Sequence, residues 1–180
     1  MMNLNELRDK AYKIACEHGF HDEEHNNEHW IMLVITELAE AVEYDRKGLY
    51  ITAPIKEEYI RYQFYEFHPP IFDLYIKETV DAELADAFIR LLDLAGLRDI
   101  GLSSCPDSVF TDRLDLDLVS SIYSMCHNIT CSKYTLAGRV NYAIQGIILL
   151  CKEMNIDLEW MVKEKMKYNS VKGYKHGKKY

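Results

Sequence analysis

Two stretches of this chain carry paired carboxylates at one spacing: Glu37-Leu38-Ala39-Glu40 and Glu83-Leu84-Ala85-Asp86. Both lie in segments that otherwise read as apolar helix. At about 3.6 residues per turn, positions i and i+3 stand about 60° apart on one helix face. The face of the first pair also carries Trp30, Leu33, Ala41 and Tyr44; Ile76, Val80, Ala87 and Leu94 surround Glu83. Charge on a face meant for a core costs several kcal/mol unless something compensates it. A single pair reads most simply as boundary residues that snorkel or pair with Lys and Arg. Two pairs of the same form predict a shared compensator, a divalent cation held by Glu37, Glu40, Glu83 and Asp86. Oxygen-only ligands suit Mg²⁺, with Mn²⁺ as the alternative, rather than Zn²⁺.

The C-terminal segment, residues 163–180, reverses the charge of an otherwise acidic chain and is dominated by lysine. Lys165, Asn169 and Lys172 share a face if a helix continues through them, and Gly173 and Gly177 end it. Left in solvent, such a segment is an ordinary tail. Laid over the carboxylates, it supplies cationic and amide donors for phosphate oxygens. Trp30, about two turns before Glu37 on the same face, is either a core tryptophan or a platform for a nucleobase.

Bulk properties narrow the class. The 180 residues suit one domain, 1–180, with a core of its own. A net charge of −8 and a pI near 5.4 argue against general binding to nucleic acid or to an anionic membrane. No apolar run is long enough to span a bilayer, and the first residues lack the pattern of a signal peptide. Five cysteines, an odd number with no C-x-x-C, read as reduced, mostly buried thiols of a cytoplasmic protein. Cys126-His127 with Cys131 lacks a fourth zinc ligand.

The elements that must position these residues all read as helices. A first helix is capped by Asn3 or Asn5 and stopped by Gly19. The histidines at 21, 25 and 29 fall in a polar connection. A second helix spans about 28–47, before Gly48. A break at 52–54 leads into an aromatic helical excursion near 53–70, ended by His68-Pro69-Pro70. A third long helix spans about 72–95, with a loop over 96–107. Further helices cover about 112–131 and 135–154, and a last one, capped by Asp157, reaches about Asn169. No strand pattern, Gly-rich phosphate loop or repeat is present. The expectation is an all-α bundle of four to five long helices plus short ones.

Glu37-x-x-Glu40 followed by Glu83-x-x-Asp86, within Ile35-Thr36-Glu37-Leu38-Ala39-Glu40-Ala41 and Asp81-Ala82-Glu83-Leu84-Ala85-Asp86-Ala87, resembles the motif of the MazG-like, all-α nucleoside triphosphate pyrophosphohydrolases. Lys165-Met166-Lys167-Tyr168-Asn169 and Lys175-His176-Gly177-Lys178-Lys179 resemble the closing segment of one branch. The resemblance covers the two motif helices and the last one, about half the chain. Where that branch has an arginine after the asparagine, Lys172 stands here, which exchanges a bidentate phosphate contact for a point charge. The resemblance implies Mg²⁺ on Glu37, Glu40, Glu83 and Asp86 and a homodimer or homotetramer; by their chemistry, Glu37 or Glu40 is the first choice for general base, and Lys165, Asn169 and Lys172 would bind phosphate oxygens. The resemblance also implies hydrolysis of an NTP or dNTP to the monophosphate and pyrophosphate. The alternatives are a dUTP diphosphatase or phosphoribosyl-ATP pyrophosphohydrolase of the same helical type, or a non-catalytic helical nucleotide-binding or oligomerisation protein. The 53–70 and 97–131 segments fall outside the motif.

Overall fold

The computed structural model describes residues 2–62, 67–103, 117–177 and 179. Among these, all regular structure is helical: α1 (Leu4–Glu17), α2 (Asn27–Arg46), α3 (Ala53–Tyr62), α4 (Pro69–Tyr75), α5 (Val80–Leu97), α6 (Leu118–Thr130), α7 (Leu136–Glu153) and α8 (Leu158–Ser170), closed by a 3₁₀ turn at Tyr174–Gly177. None of the described helices is long and apolar enough to cross a membrane.

Helix α5 is the central post. It packs against α1, α2, α7 and α8, while α6 joins α7 to α2. Its sequence explains this: Val80, Ala82, Leu84, Ala85, Ala87, Phe88, Leu91, Leu92, Leu94 and Ala95 cover more than half of the helix circumference, and all are buried. An apolar arc this wide has to be packed on by several neighbours, and Glu83, Asp86, Arg90 and Asp93 occupy the strip that remains. Its small residues let neighbours come close. Gly96 sits within the helix, because a Cβ there would stand 2.5 Å from the Tyr12 Cβ of α1. The expected loop therefore begins after Leu97, with Asp99 in left-handed backbone at φ 49.

Side-chain caps set most of the helix starts. Asn3, Asn26, Thr79, Asp117, Thr135 and Asp157 each accept a backbone N–H from the first turn of the helix that follows. The region before α5 departs from expectation. Pro69 and Pro70 open α4 rather than end a helix, since a proline in the first turn removes an N–H that has no intrahelical partner there. Likewise α3 begins at Ala53, with Pro54 in its first turn. The long helix expected from residue 72 is two helices. It breaks over residues 76–79, where the Thr79 hydroxyl donates to the Ile76 carbonyl at 2.8 Å and accepts from Ala82 N–H at 3.2 Å. The start of the helix expected from residue 112, residues 63–66 of the aromatic excursion and Cys105 lie outside the described residues. Of the other cysteines only Cys151 is buried; Cys126 and Cys131 are half-buried and Cys16 is exposed, which corrects the expectation of mostly buried thiols.

Candidate metal and phosphate site

The first turn of α5 is pinned before it presents any ligand. Val80 N–H donates to the Leu49 carbonyl at 2.9 Å, and the buried Asp81 carboxylate accepts Ile51 N–H at 3.1 Å. These bonds tie the end of the α2–α3 connection to the start of α5 and fix the rotation of the two motif helices. Glu83, in that same first turn, lies where the helix dipole favours a negative charge.

From this frame Glu37, Glu83 and Asp86 converge. Each offers a carboxylate oxygen within 4.8 Å of the others, and no other group of three acidic, histidine or cysteine ligands forms among the described residues. Octahedral Mg²⁺ holds oxygens at about 2.1 Å, so its ligands stand about 3 to 4 Å apart; a small inward movement brings the trio to that spacing. Glu40 is exposed. It lies outside the trio but lines the same cavity, of about 470 Å³. That cavity is also lined by Trp30, Lys165, Asn169 and Lys172, so every site residue singled out from the sequence opens onto it. Lys172 comes there from beyond the end of α8, not from its helical face.

Charge in the cluster is finely divided. Burial pushes the Glu83 carboxyl up, Asp86, Glu37 and Glu40 push it further, and Lys165 pulls it back, which leaves it at about 8. The Lys165 Nζ stands 2.5 Å from Asp86 Oδ2. Burial alone would lower its pKa, but Asp86, Glu83 and Glu37 outweigh burial and hold it above the ordinary lysine value. Lys165 is thus a buried counter-ion as well as a donor facing the cavity.

Several residues in the wall were not expected from the sequence. Arg90 donates through Nε to Glu37 Oε1 at 2.6 Å, and its Nη2 lies 2.6 Å from the same oxygen. Its spacing was legible: Arg90 follows Asp86 by four and Glu83 by seven, on one face of α5. Asp93, one further turn along, also lines the cavity and is held by His21 Nε2 at 2.7 Å. The histidines assigned to a polar connection instead pack around Trp30, with ring centroids at 5.0 Å (His21), 5.7 Å (His25) and 5.1 Å (His29). Trp30 is buried, in keeping with a core role, yet it reaches the cavity, and its Nε1 has no hydrogen-bond partner among the described residues. Tyr168, whose hydroxyl donates to Asp73 at 2.5 Å, closes the wall beside Lys165 and Asn169.

Comparisons with protein-family models, with curated proteins and with solved structures found no match to this chain.

Proposed function

We propose that this chain is a Mg²⁺-dependent nucleoside triphosphate pyrophosphohydrolase of the MazG-like all-α type, a single domain that cleaves an NTP or dNTP to the monophosphate and pyrophosphate. The observation that supports it best is convergence: acidic residues from α2 and α5 and phosphate-type donors from the C-terminal segment line one cavity. Glu37, Glu83 and Asp86 are the residues that would hold the metal. When bound, Mg²⁺ neutralises the triphosphate and lowers the pKa of an attacking water. Lys165, Asn169 and Lys172 bind phosphate oxygens. Arg90 fixes the Glu37 carboxylate, which leaves Glu40, outside the trio, as the carboxylate better suited to take the water proton. Trp30 supplies the aromatic wall for the base.

One observation favours the non-catalytic alternative. The Lys165–Asp86 and Arg90–Glu37 pairs nearly balance the cluster without a metal. Calorimetric titration with Mg²⁺, beside pyrophosphate release from the common NTPs and dNTPs, separates the two. The enzyme reading expects metal binding and turnover of at least one nucleotide. Absence of Mg²⁺ binding leaves the carboxylates as structural ion pairs.

A further inference from the structure

The C-terminal 3₁₀ turn doubles back onto the connection between α1 and α2. Lys175 N–H donates to the His18 carbonyl at 2.8 Å. The Tyr174 hydroxyl donates to Asp22 Oδ2 at 3.0 Å, and Lys175 Nζ donates to Glu23 Oε1 at 3.3 Å. Gly19, at φ +76, accommodates the turn: a Cβ there would collide with the Tyr174 ring. Held in this way, Lys175 and His176 adopt left-handed backbone, at φ 45 and 51. Side-chain-bearing residues seldom do so, and such strain persists only where the surroundings impose it.

The conformation sets the His176 ring into the cavity wall, next to Gly173 and Lys172. His18 and Phe20 hold it edge to face, at centroid distances of 5.2 and 5.0 Å. Its Nε2 is buried without a hydrogen-bond partner among the described residues. Ala11, Ile14, Ala15 and Phe20 supply the apolar surface of the same cavity, while Lys172, Asp86 and the Asn169 backbone lie near enough to act on the ring. Burial, with help from Lys172 and His18, lowers the imidazole pKa to about 4, so the ring is neutral near pH 7. A neutral ring with one unused nitrogen suits a base edge or a hydroxyl better than a phosphate.

Resting on the nucleotide reading above, we infer that the C-terminal turn is a specificity element: it carries His176 into the cavity to contact the nucleoside part of the substrate through Nε2.

The test is steady-state pyrophosphate release with Mg²⁺ from the eight common NTPs and dNTPs, for wild type, His176→Ala, His176→Gln and Tyr174→Phe. Binding of inorganic triphosphate, which has no nucleoside, is measured beside it. For the preferred nucleotide, His176→Ala should raise KM about tenfold with kcat within about threefold, and should narrow the preference over the next base. Triphosphate affinity should not change. Glutamine, which can place an amide group near the position of Nε2, should restore part of the loss, and Tyr174→Phe should raise KM by a smaller factor. An unchanged KM and preference in His176→Ala, or an equal loss of triphosphate affinity, overturns the inference and leaves the nucleotide reading intact. If His176→Ala does not fold, unchanged KM in both His176→Gln and Tyr174→Phe overturns it. If wild type hydrolyses none of the eight, the nucleotide reading falls and this inference falls with it.

Discussion

On α5, Glu83 and Asp86 both join the three-carboxylate cluster; on α2, Glu37 joins it while Glu40 stays exposed at the cavity. The spacing of the two pairs is identical, so the difference comes from what surrounds each helix. Helix α5 is packed on over most of its circumference, and the strip that carries Glu83 and Asp86 faces the cavity walled by α1, α2 and α8. Helix α2 buries one stripe, made by Trp30, Ile31, Val34, Leu38 and Ala41. Glu37 lies at the edge of that stripe, and Glu40 lies about 60° beyond it. Spacing puts two side chains on one face; the neighbours of the helix decide whether that face is inside.

Substitutions sharpen this contrast. The largest effect is expected on α5. Glu83→Gln should lower pyrophosphate release on the order of a thousandfold and remove the rise in melting temperature caused by Mg²⁺. The metal-free variant should be as stable as wild type or more so, because a carboxyl crowded by three others is gone. An active variant, or a markedly less stable one, would make Glu83 a structural ion-pair partner instead. On α2 the two acids should separate. Glu40→Gln should lower kcat about a hundredfold and leave Mg²⁺ affinity within about threefold. Glu37→Gln should weaken Mg²⁺ binding and, by removing the negative charge that faces Arg90, cost about 2 kcal/mol of stability. Similar behaviour of the two variants in calorimetry and melting would erase the distinction.

A further effect is a pH slope. The Glu83 carboxyl titrates at about 8 in the folded chain, against an ordinary value near 4.5. Between these values the folded state holds a proton that the unfolded state has lost, so this group's contribution to stability is present at low pH and declines as pH rises towards 8. The metal-free melting curves of wild type should therefore fall relative to Glu83→Gln from about pH 5 to pH 8, by up to about 1.4 kcal/mol per pH unit, and level off above. A flat difference would show that Glu83 is ionised throughout.

Much of the positioning was legible because it depends on local chemistry. Asp157 caps its helix as its side-chain oxygen predicted, and Asn3, one of the two residues expected to do so, caps the first. The break before α5 was hidden because Ile76 and Val80 are both buried and continue the apolar period across it. The signal was the hydroxyl of Thr79. Pro69 and Pro70 misled because proline forbids the interior of a helix but suits its first turn. Arg90 was overlooked although it follows Asp86 at the helical spacing. Lys165 was read only as a phosphate donor, since its role as buried partner of Asp86 depends on α5 and α8 packing together. The packing of His21, His25 and His29 about Trp30 is tertiary and has no counterpart in spacing alone.

The central place of α5 bears on how this site would be lost. Amide hydrogens on a helix walled in by four others exchange only when most of the molecule opens, whereas a terminal turn held by a few hydrogen bonds opens alone at far lower free energy. Glu83 and Asp86 ride on the former, and His176 rides on the latter. Rising denaturant should therefore strip the C-terminal wall from the cavity while the carboxylates still stand together, so on the proposed function nucleotide preference would be lost before ion binding.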